Sequence, residues 1–334
     1  MKTLKKIFKQ DKEKFKIPRN VQDAIPVKTI WEDGIFLVGK NKYSKCFKFT
    51  DINYAVASRD DKEAMFLEYS ELLNSFDTGA TTKITIANRR LNKIDFEKTI
   101  MLKKENDKLD EYREEYNKML LSKVSGANGI IQEKYITISI DKKSIEEARN
   151  YFSRVGTDLM NHFKELGSTC IELDAVERLR IFHDFYRVGE ETYFNYDMID
   201  NMRKGHSFKD FMCPDTMEFE SDYFKIGNRY GRVIFLKEYA SYIKDSMVAE
   251  LTDINRNMML SIDTIPVPMD EAVREAENRR LGIETNITNW QRRQNANNNF
   301  SAIIPYDMEQ QREQSKEFLD DLVTRDQRMC ATRS

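Results

Sequence analysis

The chain is poor in the residues that usually carry catalysis, metal binding or covalent cross-links. Its 334 residues include only three histidines, four cysteines, 12 glycines and six prolines. The cysteines are Cys46, Cys170, Cys213 and Cys330. They lie far apart and form no Cys-x2-Cys pair, so neither a zinc-binding cysteine pair nor a disulfide framework is predicted. A reducing cytoplasm is the expected compartment.

Long apolar runs are also absent. The longest are a few residues, such as residues 35–38, whereas a membrane-spanning helix needs about 20. The N-terminus has neither the apolar core nor the small-residue cleavage site of a secretory signal. The sequence therefore predicts no transmembrane segment and no signal peptide.

Charged residues are abundant instead and make up 33% of the chain. Because this exceeds the usual share of about 25%, a charged, largely helical surface is expected. The formal net charge of −2 excludes a chain that is basic overall. Residues 1–20 nevertheless carry seven lysines and one arginine against two acidic residues. That net charge of +6 leaves −8 for the rest of the chain.

These lysines define a basic arm, residues 1–26, which ends at Pro26. Leu4, Ile7 and Phe8 fall on one face of a short helix within it. Three interpretations stay open: a solvated tail, attraction to anionic lipid headgroups, and attraction to nucleic acid.

The rest of the chain alternates between strand and helix patterns. Ile136, Ile138 and Ile140 alternate as in a strand with one buried face. Ser144 and Glu147 match a helix-capping box before an apolar stripe at helical spacing. The order hairpin, helix, strand, helix appears twice. The sequence therefore predicts an α+β fold with two lobes of mixed antiparallel sheet, packed amphipathic helices and long helices at the C-terminal end.

The predicted domains are the arm 1–26, a first lobe 27–187, a connection 188–221 and a second lobe 222–334. Other patterns predict a strand at 52–56, an unpacked segment at 188–221 and a hairpin around 227–229. A final helix is expected over 307–328, with Phe318, Leu319 and Leu322 facing inward. A strand is due after this helix, but residues 330–334 do not continue an apolar strand, which suggests truncation.

Residues 34–41, GIFLVGKN, match the spacing of a phosphate-binding loop. Such a loop needs small, flexible residues whose N–H groups converge on an anion between a strand and a helix. Here four bulky apolar residues fill the spacing and predict a strand, and Asn41 replaces the magnesium-binding hydroxyl. Nucleotide binding is therefore not predicted.

No catalytic, cofactor-binding or metal-binding residue is assigned. His162, His183 and His206 form no metal-binding spacing. The acidic cluster Glu172, Asp174 and Glu177 lies where a strand leads into a helix, and Asp174 is predicted to cap that helix. A hydrolase built on Glu172, Asp174 and His183 stays an alternative.

Trp290 lies next to Arg292 and Arg293, a combination that is common at binding hot spots. The alternative is that Trp290 completes the apolar stripe of a helix and that the arginines are solvated. The asparagines that follow, at 297–299, predict the end of this helix, because asparagine tolerates the left-handed conformation.

Several segments carry a family resemblance: VQDAIP at 21–26, FTDINY at 49–54, TKITI at 82–86, RLRIFHDFY at 178–186, and residues 285–329. They resemble the N-terminal half of conjugative type IV secretion ATPases, the VirB/TraC/TraE-like family of Gram-positive mobile elements. Residues 285–329 resemble the region just before the motor domain of that family.

The resemblance implies a role in DNA transfer. Members of the family oligomerise at the cytoplasmic face of the membrane, dock through the N-terminal region and hydrolyse ATP in a C-terminal RecA-like domain. This chain has no Walker A or Walker B motif. It is therefore expected to be a truncated, non-catalytic docking and oligomerisation region without a cofactor.

The expected partners are membrane components of the secretion apparatus and further copies of the chain, with peripheral membrane contact through residues 1–20. The alternative is a nucleic-acid-binding accessory protein of DNA transfer that uses the basic arm with Phe8 and Phe15.

Overall fold

A computed structural model describes residues 17–52, 54, 56–90, 101–125, 130–236, 246–299, 303–324 and 327–333. About 48% of the described residues are helical and 20% lie in strands, in a mixed antiparallel arrangement, which confirms the predicted α+β class. The described residues form two compact units. The larger contains residues 17–69 and 81–263, and the smaller contains 70–80 and 264–332.

The larger unit is built on an antiparallel sheet. Its strands are β1 (Thr29–Ile30), β2 (Phe36–Leu37), β3 (Lys42–Phe49), β4 (Thr81–Arg90), β5 (Ile130–Asp141) and β6 (Cys170–Glu172). They lie in the order β1-β2-β3-β5-β4, and β6 also pairs with β3. The first residues of β10 (Met258–Pro266) follow β4 in this order. Phe47 and Ile84 both lie opposite Ile136, so the register places apolar side chains together at the centre of the sheet.

The helices of this unit are α1 (Val21–Ala24), α2 (Arg59–Ser75, which continues into the smaller unit), α3 (Asp110–Ser125), α4 (Ile145–Glu165), α5 (Ala175–Tyr186), α6 (Met198–Lys204), α7 (Phe208–Met212) and α8 (Met247–Thr252). The stripe predicted for α4 is confirmed, because Phe152, Leu159 and Phe163 are buried. The Ser144 hydroxyl accepts the Glu147 N–H at 3.3 Å, and Gly167 follows the helix with φ +77°.

The strand predicted over residues 52–56 is wrong. Tyr54 and Val56 lie in turns, and Val56 is 77% exposed. The chain leaves the sheet after Phe49, since β3 already pairs with β2, β5 and β6. Ser58 then starts α2 by accepting the Asp61 N–H at 3.2 Å. Alternation alone does not make a strand where the sheet offers no free edge.

Residues 188–221 are packed, unlike the connection that the sequence suggested. A 3-10 turn at Glu191–Tyr193, helix α6 and helix α7 occupy much of the segment. Tyr196, Met212 and Cys213 are buried in one cluster with Phe36 and Leu179. The apolar residues come from helices too short to show a period, which is why sequence periodicity missed them.

A second, three-stranded sheet lies in the larger unit. It contains β7 (Met217–Phe219), β8 (Phe224–Ile226) and β9 (Arg229–Gly231), in that order. Gly227, with φ +54°, lies in the turn between β8 and β9, so the predicted hairpin is confirmed. Its second strand, predicted over residues 230–236, ends at Gly231.

The smaller unit contains the end of β10, α9 (Met269–Ala296), α10 (Tyr306–Thr324) and β11 (Cys330–Arg333). Ala272 and Ala276 of α9 pack with Leu322 of α10, which confirms the long C-terminal helices. Asn298, with φ +59°, follows the end of α9 as predicted.

Two predictions for the smaller unit are wrong. Phe318 is 38% exposed, whereas Ser315 and Leu322 form the buried side of α10. The last residues do form a strand, β11, which lies beside β10. The Val267 N–H donates to the Met329 carbonyl at 2.8 Å. Main-chain bonds of this kind need no run of apolar side chains, so the missing apolar pattern was a poor guide.

Most of the basic arm lies outside the described residues. So does part of the segment 239–251, for which the sequence pattern predicts a helix. Within the described ranges, no helix combines the length and the apolarity needed to cross a membrane.

Candidate functional site

The segment with phosphate-loop spacing forms part of the β2–β3 hairpin. Ile35 and Phe36 are buried, and Phe36 lies in β2. Gly34 has φ +75°, and a Cβ added there would lie 2.0 Å from the Leu173 carbonyl oxygen. The glycine therefore serves a close approach between two backbone segments. This agrees with the strand predicted for these residues.

A buried arginine holds this hairpin in place. Arg178 Nη1 donates to the carbonyls of Gly34 and Ser44 at 2.6 and 2.7 Å. Its guanidinium lies 4.0 Å from the centre of the Phe36 ring, within the range of cation–π attraction. Burial lowers the pKa of Arg178 to about 10, although the nearby Cys46 sulfur opposes this shift. The arginine is engaged with protein groups and is not presented to a ligand.

The three residues of the hydrolase alternative each interact with a different partner. Glu172 pairs with Lys45 at 2.6 Å. Asp174 caps α5 in a full capping box with Glu177, which confirms the predicted cap. His183 Nδ1 lies 3.2 Å from Asp184 Oδ1, and its ring packs against Phe194. The three groups do not form an acid–base arrangement.

The four cysteines lie in surroundings that raise their pKa values and disfavour the thiolate. All four are free thiols. Burial raises the pKa of Cys46, and burial together with the charges of Cys46 and Glu172 raises the pKa of Cys170 to about 12. A reactive cysteine needs a lowered pKa, so the environment of these thiols favours the protonated form.

Helix α5 and one face of the main sheet enclose a cavity of about 460 Å³, called here the sheet–helix pocket. Successive strand residues point to opposite faces, so Glu133 and Tyr135 of β5 share this one. Lys48 lies opposite Tyr135, and Ala87 lies opposite Glu133. Arg89, two residues beyond Ala87, returns to the same face and also lines the pocket.

Helix α5 lines the pocket with residues at helical spacing. Glu177, Arg180, Ile181 and Asp184 occupy the spacing i, i+3, i+4 and i+7, so they share one face of the helix. The opposite face, which carries Leu179, packs into the cluster around Phe36. A smaller apolar cluster forms the floor of the pocket from Cys46, Tyr135 and Leu173, with Ala87 and Ile181 against it.

Glu133 is the electrostatic centre of the pocket. Lys48 Nζ lies 2.7 Å from Glu133 Oε1, and Arg89 Nε lies 3.1 Å from Oε2. Burial raises the pKa of Glu133, but the Lys48 hydrogen bond and the Arg89 charge outweigh it and hold that pKa below its usual value. Burial lowers the pKa of Arg89, and Glu133 more than compensates.

This arrangement suits binding better than proton transfer. Burial and the Glu133 carboxylate both raise the pKa of Tyr135, so its hydroxyl stays protonated at neutral pH. Glu133 stays ionised, and a general base is most effective when its pKa lies near the working pH. Arg180 is about half exposed, and its Nε lies 3.8 Å from Asp184 Oδ2, beyond hydrogen-bond length. The pocket thus offers paired charges around an apolar floor.

The sequence did not predict the pocket residues. Their side chains come from five strands and one helix that are separate in the chain, and each residue is ordinary within its own element. The alternation along β5 and the spacing along α5 were visible signals. Only the strand register joins them into one site.

A second candidate surface is an exposed run of apolar residues after β9, called here the apolar ribbon. It consists of Val233, Ile234, Phe235 and Leu236, and Ile234 is 85% exposed. Phe219 and Tyr230 of the small sheet are also exposed. Soluble proteins rarely expose contiguous apolar groups on this scale outside interaction sites.

The environment of Trp290 favours helix packing. Trp290 is half-buried on α9, one turn beyond the buried Ile287. Arg292 and Arg293 are exposed.

The comparisons with known proteins identify no family for this chain. No family model matches the chain, and no curated protein matches it either.

Proposed function

We propose that this chain is the docking and oligomerisation region of a conjugal transfer ATPase of the type IV secretion class, and that it contributes contacts and no ATP turnover. The exposed apolar ribbon carries the proposal. The family resemblance of the sequence segments supports it.

The ribbon has the chemistry of a protein interface. Four consecutive apolar side chains follow β9, which lies at the edge of the small sheet. Full burial of one such side chain contributes about 1.5–3 kcal/mol relative to exposure. The edge strand β9 also presents main-chain groups to which another strand can be added. A second copy of this chain is the occupant that we propose.

The hairpin at residues 34–41 also supports a contact role. The Gly34 backbone lies against the Leu173 carbonyl, and Phe36 is buried in the core. Lys40 is exposed in the turn between β2 and β3, and a strand follows it in the chain, whereas a helix follows a nucleotide-binding loop. The proposed location is the cytoplasmic face of the membrane, where components of the secretion apparatus are the further partners.

Sedimentation velocity over a concentration series tests the proposed self-association. The unmodified chain should form dimers or larger species, and the double variant Ile234→Asp/Phe235→Asp should stay monomeric because two charges would be buried at the interface. Ile199→Asp is the matched control, since Ile199 is an exposed isoleucine in the first turn of α6. A monomeric unmodified chain, or a double variant that associates equally well, contradicts the proposal.

An ATPase assay tests the absence of turnover. We expect no hydrolysis above a protein-free blank. Hydrolysis that is present in the unmodified chain and lost in Lys40→Ala would overturn the proposed role, because it would place a phosphate at the β2–β3 turn.

A further inference from the structure

Three potential metal ligands converge in the larger unit, away from the sheet–helix pocket. His162 and Glu165 lie one turn apart at the end of α4, and Glu68 reaches them from α2. One ligand atom from each lies within 4.8 Å of the other two. Among the described residues, these three are the histidine and carboxylate side chains whose ligand atoms lie this close together.

Two buried side-chain atoms of these residues have no hydrogen-bond partner. They are His162 Nδ1 and Glu68 Oε2. Buried polar atoms are nearly always paired, so two unpaired atoms within one group of residues need an explanation. His162 Nδ1 lies 3.9 Å from Glu165 Oε2, which is too long for a hydrogen bond between them.

The spacing suits a shared ion. Ligand bonds of about 2.0–2.2 Å in a tetrahedral site place neighbouring ligand atoms about 3.4 Å apart. The His162–Glu165 separation of 3.9 Å approaches this value, so rotamer adjustments of a few tenths of an ångström complete that edge. A cation also neutralises Glu68 and Glu165, two like charges that would otherwise repel each other.

We propose that Glu68, His162 and Glu165 bind a divalent transition-metal ion of the Zn²⁺ type. An imidazole ligand favours such an ion over Mg²⁺ and Ca²⁺, which prefer sites made only of oxygen atoms. Three protein ligands leave a fourth position for water. Sequence spacing could not reveal the site, because Glu68 lies far along the chain from the other two ligands.

The ion would fasten α2 to α4. The part of α2 that belongs to the larger unit, residues 59–69, contributes no buried side chain, and Phe66 and Leu67 are exposed. Apolar packing therefore holds this part of the helix weakly. A metal bridge supplies the fixed contact that packing does not.

Cobalt titration of the tag-free, chelator-treated full chain tests the site. We expect one Co²⁺ per chain, visible by its absorption in the visible range, and displacement by Zn²⁺. His162→Gln and Glu68→Gln should each weaken Zn²⁺ binding by at least about 10-fold in calorimetric titrations. His206→Gln, which removes an exposed histidine, should bind as the unmodified chain does.

A thermal melt provides a second measurement that does not require the variants to match in basal stability. Zn²⁺ should raise the melting temperature of the unmodified chain and of His206→Gln, because an ion that binds only the folded state stabilises it. It should not raise that of His162→Gln. Absence of Zn²⁺ and Co²⁺ binding by the unmodified chain, or equal binding by His162→Gln, overturns the site.

Discussion

At the residue scale, this fold depends on a few positions whose role follows from their contacts with other parts of the chain. Gly34 illustrates the difference between a motif and its environment. Its spacing to Gly39 and Lys40 imitates a phosphate loop, yet its positive φ and its approach to Leu173 explain the glycine fully. The bulky residues after Gly34 were enough to predict a strand from sequence. The partner of the glycine was not predictable, because it arrives from another part of the chain.

Replacing Gly34 should therefore be costly. Gly34→Ala places a Cβ 2.0 Å from the Leu173 carbonyl oxygen and also strains a backbone with φ +75°. The expected loss in the free energy of unfolding is about 3 kcal/mol or more, since a steric clash in a packed site adds to the conformational cost. Chemical denaturation measures it.

Gly167→Ala is the matched control. Gly167 has a nearly equal φ of +77°, but nothing lies within 4 Å of an added Cβ. The free energy of unfolding of Gly167→Ala should fall by about 1 kcal/mol, which is the cost of the left-handed backbone conformation alone. Equal losses at the two glycines would contradict the packing role of Gly34.

Glu133 should contribute stability that depends on pH. Its pKa in the folded chain lies below the unfolded value of about 4.3, so its contribution is complete above that pH and is lost as the pH falls through the folded pKa. Glu133→Gln should lower the free energy of unfolding by about 1–3 kcal/mol at pH 7, with a smaller difference below about pH 4. Denaturation at a series of pH values measures this.

Glu218→Gln serves as the control for Glu133. Glu218 pairs with Lys225 at 3.4 Å, but its side chain is 58% exposed. Exposed pairs contribute little, so a loss below about 0.5 kcal/mol is expected at every pH. A loss at Glu133 that does not vary with pH would show that the ion pairs are not its cause.

At the element scale, long periodic segments were predictable and short ones were not. The stripe of α4 and the alternation of β5 each repeat often enough to fix the element and its buried face. Helices α6 and α7 are too short to repeat, so packing decides their burial. The segment 52–56 shows the opposite error. Its apolar residues do alternate, but the preceding strand β3 is already paired with β5 and β6, and the segment forms turns instead.

The capping box of α5 gives a prediction at this scale. The Asp174 carboxylate accepts the Glu177 N–H at 2.8 Å, and the Glu177 carboxylate accepts the Asp174 N–H at 2.9 Å. Asp174→Ala should destabilise the chain by about 1 kcal/mol, whereas Asp174→Asn should keep most of the stability, because asparagine is an equally good cap. Thermal denaturation compares them. Equal losses for both variants would mean that the charge of Asp174, and not its cap, is what stabilises α5.

At the scale of the whole molecule, the sequence predicted the fold class but not the candidate sites. Composition and periodicity are properties of single segments, and they were enough for an α+β protein with long C-terminal helices. The sheet–helix pocket joins Lys48, Arg89, Glu133 and helix α5 through strand register and packing. The residues of the apolar ribbon were predicted to lie in the second strand of the hairpin, over residues 230–236, and only their exposure in the folded chain makes them a candidate surface.

The uneven distribution of charge gives the last prediction. Residues 1–20 carry a net +6 in a chain whose net charge is −2, so the arm and the rest of the molecule should respond oppositely to an anionic surface. Each lysine or arginine near an anionic membrane contributes about 1 kcal/mol, and salt screens this attraction. Vesicles containing phosphatidylserine should therefore co-sediment with the full chain at low salt and release it at high salt.

Deletion of residues 1–20 should abolish this co-sedimentation, and vesicles of phosphatidylcholine alone should retain neither form. Duplex DNA is the competing surface, because counterion release gives it the same sign of salt dependence. If the arm serves the membrane, the full chain should bind vesicles at an ionic strength that already releases DNA. Tighter binding to DNA under matched salt, lost on the same deletion, would instead favour the nucleic-acid-binding alternative. Vesicle binding that survives the deletion would rule out the arm as the membrane contact.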